Sequence, residues 1–154
     1  MPKITVRKIK TIALTINRPA TEEDDFVYIA VANKLIEYPS GAKSKVVYIG
    51  QTKKGAFRLA TSAATRAYKL LFSHGISSLT YYILVPKGHQ GTSSWKLLET
   101  ALLSEFKFMY GAVPKANIHG KKYNFDVPGV VHARKFFTDK VLFSLIKRYS
   151  HIGE

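Results

Sequence analysis

The chain contains no cysteine, which excludes disulfide staples, thiolate zinc sites and cysteine nucleophiles together. Acidic residues are scarce as well. Aspartate and glutamate number 10 against 24 lysines and arginines, for a formal net charge of +14. Outside the cluster Glu22, Glu23, Asp24 and Asp25 and the last residue, Glu154, only Glu37, Glu99, Glu105, Asp126 and Asp139 remain. A centre built from several adjoining carboxylates and two metals has little to draw on. No apolar run approaches the ~20 residues of a membrane helix. Residues Met1–Val6 lack the apolar segment and cleavage site of a signal peptide, so a cytoplasmic protein is expected.

Other familiar chemistries are missing too. None of His74, His89, His119, His132 and His151 stands at zinc-like spacing from another, and no Ser-His-Asp arrangement can be read from the order. Gly50 and Gly55 have the spacing of a phosphate loop but lack the Lys-Ser or Lys-Thr that follows in one. Four adjacent acids at Glu22–Asp25 read as a solvated turn, because consecutive side chains do not converge as a coordination shell must.

What is present is positive charge and a normal apolar content. The 154 residues are 46% hydrophobic, enough for one domain with a core. Between Tyr38 and Leu98 there is no acidic residue, while Lys43, Lys45, Lys53, Lys54, Arg58, Arg66, Lys69, Lys87 and Lys96 all fall there. Such a surface attracts a polyanion, since binding releases counterions condensed on phosphates. An anionic membrane surface fits less well, because no amphipathic helix has a large lysine-rich face.

The periodicity predicts an α+β domain: a small, mainly antiparallel sheet flanked by helices, with additions at both ends. Lys3–Ile16 reads as extended. Phe26–Ala32 and Lys45–Gly50 read as strands pairing in an antiparallel hairpin with a long tip. A helix follows, on which Phe57, Ala60, Ala64, Ala67 and Leu71 recur at helical spacing, with Gly75 at its C-terminal cap. Leu79–Val85 is a third strand, stopped by Pro86-Lys87-Gly88. The next helix is capped by Thr92 or Ser93, carries the stripe Trp95, Leu98, Leu102, Phe106 and Met109, and ends at Gly111. Val130–Arg134 reads as a short strand. Thr138 caps a last helix that turns Val141, Leu142, Leu145 and Ile146 inward.

Glu99 is the most informative acid. It lies four residues after Trp95 and three before Leu102, beside the apolar stripe. A carboxylate there must be partnered, neutral or bound to a cation. Taken alone, a metal ligand and a structural pair are equally open, and Glu105 has apolar neighbours too. Tyr28 and Tyr48, taken singly, are ordinary strand aromatics.

Taken together, these residues form an ordered set. Val27-Tyr28-Ile29 lies on one strand and Tyr48-Ile49-Gly50 on the next; Arg58 follows ten residues later on a helix, Glu99 sits on the second helix, and Asn117 comes after its terminal glycine. Over residues 24–118 this resembles the GIY-YIG nuclease family. The first motif departs from that pattern in lacking its glycine, Ser62 stands where many members have histidine, and the Tyr28–Tyr48 spacing implies an extended hairpin. The resemblance implies a divalent-metal-dependent endonuclease cutting DNA, in which Tyr48 acts on the attacking water, Tyr28 holds Tyr48, Arg58 clamps the phosphate, and Glu99 binds one Mg²⁺ or Mn²⁺ ion. Asn117 would brace the site and His74 would stand in for the missing histidine. Lys53, Lys54, Arg66 and Lys69 would position phosphates. A free-standing, restriction-type enzyme is implied, and a cutter of palindromic DNA would act as a homodimer. Two other readings stay open: a non-catalytic nucleic-acid-binding module of the same fold, and an unrelated basic RNA-binding protein whose aromatics stack on bases.

Overall fold

The structure is a computed structural model that describes residues 23–87, 93–117 and 128–153. The extended segment expected at Lys3–Ile16, and residues Glu22, His89, Thr92, His119 and Asp126, lie outside the described residues.

Strand β1 (Phe26–Glu37) is rich in β-branched and aromatic residues, and Phe26–Ala32 are buried without alternation. An unbroken buried run marks a strand covered on both faces, and β1 is indeed central. It pairs antiparallel with β2 (Lys43–Thr52) and β3 (Leu79–Leu84), giving the order β2-β1-β3. The hairpin is extended through its strands, whereas its tip, residues 38–42, is short. Gly41 turns the chain there in a left-handed conformation. Register fixes the faces. Tyr28 lies opposite Gly50 and Ile83, and Ala30 opposite Tyr48 and Tyr81. These positions therefore share one face, and the alternate residues Ile29, Ile49 and Tyr82 share the other.

Helix α1 (Gly55–Ser73) covers the tyrosine face, where the Tyr28 hydroxyl meets Ser62. It turns Leu59, Ser62 and Leu70 inward, while Phe57, Ala60 and Ala64 are exposed. Of the apolar repeat, Ala67 is half-buried and Leu71 packs against the core, so the repeat meets the sheet side only toward the end of the helix. Gly75 follows the helix in a left-handed conformation, as expected of a terminator.

Helix α2 (Ser94–Tyr110) begins after Ser93, whose side chain makes none of the capping bonds expected of it, and ends at Gly111, which is left-handed at φ 77°. It buries Leu98, Ala101, Leu102, Leu103 and Phe106, and packs against β1, β2 and the C-terminal helices. A short 3-10 helix (Lys115–Asn117) follows. The strand expected at Val130–Arg134 is instead helix α3 (Pro128–Arg134). Proline suits the first turn of a helix, and burial of Val130 and Ala133 follows a helical step. Helix α4 (Asp139–Ser150) is capped by the Thr138 side chain, which accepts from the Val141 N–H at 3.4 Å. It buries Leu142, Ile146 and Tyr149, but Val141, expected inward, is exposed. Tyr149 packs tilted against Tyr82 at 5.0 Å between ring centroids, which puts α4 on the face opposite α1.

Candidate nucleic-acid-cutting site

The site begins with a glycine. A Cβ at Gly50 would lie 2.6 Å from Tyr48 Cε1, 2.7 Å from the Tyr48 hydroxyl and 2.8 Å from Tyr28 Cζ. Both tyrosine rings fold across the space a side chain would fill. The Tyr-x-Gly spacing has a local cause: residues two apart on a strand share a face, so the residue after next must be small for the Tyr48 ring to lie down. The Tyr28 and Tyr48 rings sit 5.7 Å apart, and Tyr81 lies 6.3 Å from Tyr28 on its other side.

The Tyr28 hydroxyl is held by α1, whereas the buried Tyr81 hydroxyl has no hydrogen-bond partner among the described residues. Tyr28 donates to Ser62 Oγ on α1 at 2.9 Å. Ser62 therefore fills the position facing the first tyrosine. His74, twelve residues later, lies about 18 Å farther along the helix axis. Its ring nitrogen instead meets the Ser73 hydroxyl at 2.5 Å.

The arginine against the tyrosines is Arg66. Its guanidinium carbon lies 3.8 Å from the Tyr48 ring centroid. Its Nε donates to Ser62 Oγ at 3.3 Å and one terminal nitrogen donates to the Ala116 carbonyl at 3.0 Å. Arg66, grouped by sequence with the phosphate-positioning lysines, is thus half-buried and committed to Tyr48. Sequence reasoning missed this role. Its signal was the step of four from Ser62 and eight from Arg58, which sets all three along α1. Arg58 is exposed and lines the groove on the outer side of α1.

Asn117 braces β2 directly. The Ile49 N–H donates to Asn117 Oδ1 at 3.0 Å, and Asn117 Nδ2 donates to the Ile49 carbonyl at 2.7 Å. Both bonds are buried and lie between Tyr48 and Gly50, so they fix the strand carrying the tyrosine.

The two glutamates of α2 separate in the structure. Glu105 is buried and paired with Arg134 at 2.8 Å; Arg134 also holds Asp139 at 2.7 Å. That pairing ties α2 to the C-terminal helices. Glu99 is half-buried, and its charge acts on the Tyr48 hydroxyl. Burial pushes the Tyr48 phenol far above its ordinary value; Tyr28 adds to the rise, Arg66 opposes it, and Glu99 raises it further. Tyr48 is therefore a neutral phenol at physiological pH. Burial likewise pushes Tyr81 up to about 12.

Among the described residues there is no group of three or more metal-ligating side chains. A single carboxylate is nevertheless a fitting donor for Mg²⁺, which keeps several waters and takes substrate phosphate oxygens beside one or two carboxylates. Glu99, half-buried on α2, is the carboxylate whose charge bears on Tyr48, as the smallest of the influences on that phenol.

A groove of about 230 Å³ runs along α1 beside this cluster. Arg58, Arg66, Lys69, His74 and Lys115 line it, and among the described residues no carboxylate does. Lys53 and Lys54 are exposed just before α1, at the end of the helix nearer Arg58. No helix of the described residues is long and apolar enough to cross a membrane.

No protein-family profile, no curated protein and no solved structure matches the chain.

Proposed function

We propose that this protein is a divalent-metal-dependent endonuclease of the GIY-YIG type, hydrolysing phosphodiester bonds of DNA. The observation that carries the reading is the packing of Tyr28 and Tyr48 against Ser62 and the Arg66 guanidinium, two residues that also line a groove of cations. A plain core has no need for so many polar side chains between a helix and a sheet. Burying them unassisted is costly.

In this reading the labour divides among the residues as follows. Arg58, exposed in the groove, binds the phosphate and stabilises charge developing on it. Glu99 would hold Mg²⁺ or Mn²⁺, which when bound supplies positive charge against a phosphate oxygen. Tyr48 starts as a neutral phenol, so it orients the attacking water through its hydroxyl; Arg66 across its ring face favours any phenolate that forms. Tyr28 and Ser62 fix that hydroxyl, and Asn117 fixes the strand beneath it. Lys53, Lys54 and Lys69 position the DNA.

One observation favours a second reading, a non-catalytic binding module. The upward shift of Tyr48 makes it a poor base. Plasmid nicking with and without Mg²⁺, beside a binding assay, separates the two. Wild-type protein is expected to nick only with metal. Folded Glu99→Ala is expected to lose nicking by about 10²–10³-fold while keeping DNA affinity, because a negative charge has left a phosphate site. Binding without nicking in either Mg²⁺ or Mn²⁺ would select the module, and undiminished nicking by Glu99→Ala would remove the assigned metal ligand.

A further inference from the structure

The outer side of α1 carries more than phosphate-binding charge. Arg58, Thr61, Thr65, Lys69 and Phe72 recur every three or four residues and so lie along one face of the helix. Phe57 stands four residues before Thr61 at the other end of that face. Phe57 and Phe72 are each 80% exposed. From Arg58 to Lys69 is eleven residues, about 16 Å along the helix axis. The groove beside them takes Lys115 from the 3-10 helix as its second wall.

We propose that this face is a track for one unpaired strand of nucleic acid, its phosphates held by Arg58, Lys69 and Lys115 and its bases stacked on Phe57 and Phe72. The proposal rests on the nuclease reading, and it sharpens the substrate to DNA with a single-stranded segment beside the site of cutting. Charge selects a polyanion, since the groove has cations and, among the described residues, no carboxylate on its walls. The threonines do not compete for that role. The Thr61 and Thr65 hydroxyls each donate to a helix carbonyl one turn back, at 3.0 Å, so their only protons are already engaged. Holding the phosphates therefore falls to the cations.

The phenylalanines decide between an unpaired strand and a duplex. A duplex hides its base faces in its own stack and offers an exposed phenyl ring only sugar and phosphate. An unpaired strand offers base faces, and sequence-tolerant stacking on aromatics along a basic groove is how single strands are held. The two phenyl rings, each 80% exposed on a helix face that otherwise carries cations and hydroxyls, can stack on bases only in the second case.

The test is equilibrium binding in EDTA, by fluorescence anisotropy, of an oligothymidylate of about 12 nucleotides and a blunt duplex of equal length. The whole chain is compared with Phe57→Ala/Phe72→Ala, with Lys69→Ala/Lys115→Ala, and with Phe72→Trp. The single strand is expected to bind more tightly than the duplex. The phenylalanine pair should lose about tenfold per ring on the single strand and stay within about twofold on the duplex. Phe72→Trp keeps a stacking surface and should hold its affinity. The lysine pair should weaken both and lower the salt slope by about 0.7 for each single-strand phosphate no longer neutralised. Preference for duplex, unchanged single-strand binding without the phenylalanines, or equal competition by polyglutamate of matched charge would each overturn the track. Tight, phenylalanine-dependent binding of a duplex with a single-stranded arm that is never cut in Mg²⁺ or Mn²⁺ would instead overturn the nuclease reading and leave the track standing.

Discussion

Helices α1 and α2 are of similar length, 19 and 17 residues, and flank the same three strands, yet they are built on opposite plans. Helix α2 buries Leu98, Ala101, Leu102, Leu103 and Phe106 and is closed by a left-handed glycine. Neither helix has a side-chain cap at its start, but besides Leu59 and Leu70 the inward side of α1 presents Ser62 and Arg66 to the tyrosines. Its phenylalanines point to solvent. One helix holds the sheet in shape through apolar burial; the other brings polar groups to it. Stability and chemistry are thus drawn from different neighbours of one sheet, which allows each to be perturbed separately.

The sharpest way to break this contrast is to truncate a phenylalanine on each helix. Phe106→Ala, fully buried on α2, is expected to lower the unfolding free energy by about 3–5 kcal/mol. Phe72→Ala on α1 should stay within about 0.5 kcal/mol. Urea denaturation measures both, and similar losses would end the distinction. Next in size is Tyr48→Phe, which keeps the ring over Gly50 and removes only the hydroxyl. Nicking should fall about 10²–10³-fold, with a urea midpoint close to wild type. A large loss of stability would make Tyr48 a structural group.

Within α2 the two glutamates offer a finer comparison. Glu105→Gln removes the charge that Arg134 faces, and Arg134 is only 28% exposed. The expected loss is about 1–3 kcal/mol of stability, with metal-dependent nicking unchanged at a temperature where the variant is folded. A change in metal requirement would move the ligand from Glu99 to Glu105.

The smallest effect concerns alkaline pH. Tyr38, Tyr48 and Tyr81 all have phenols raised by burial, against an ordinary value of about 10. Above that value the unfolded chain has released protons the folded one retains, so stability falls as pH rises. The contribution is fully present below pH of about 10 and is lost toward the folded-state values, with Tyr81 at about 12. Ultraviolet titration of the phenolate band should show a late-titrating class that Tyr48→Phe diminishes; its absence would mean that the tyrosine face is open to water.

The sheet, its three strands and α2 were legible because each rests on a strong local signal: β-branched runs, Pro86 and Gly111 as stops, and one apolar stripe. Helix α1 was legible as a helix but only partly in its orientation. Pattern reading assumes that the apolar side faces in, and here Ser62 and Arg66 do as well. Helix α3 was missed because two adjacent valines suggest a strand, while the spacing of Val130 and Ala133 is apparent only once both are seen buried. Among the candidate site residues, Tyr28, Tyr48 and Gly50 share a face by strand register, which sequence pairing anticipates. The contact between Arg66 and Tyr48 joins residues eighteen apart across two elements, and no local rule specifies it. The separation of Glu99 from Glu105 likewise depended on Arg134, which arrives from a helix outside the resemblance.

The two hydrogen bonds between Asn117 and Ile49 have a further consequence. In the order β2-β1-β3, β2 is an edge, and an edge strand offers its outward N–H and C=O groups as a template for another chain. At Ile49 both groups are taken by one side-chain amide. Among the described residues no strand lies beyond β2, and at this one position Asn117 takes the place of such a partner. It blocks the edge where β2 is most apolar, Val46–Ile49, and where edge-to-edge pairing with a second copy would begin. A side chain first singled out as a brace for the site thereby also closes one position of a strand edge.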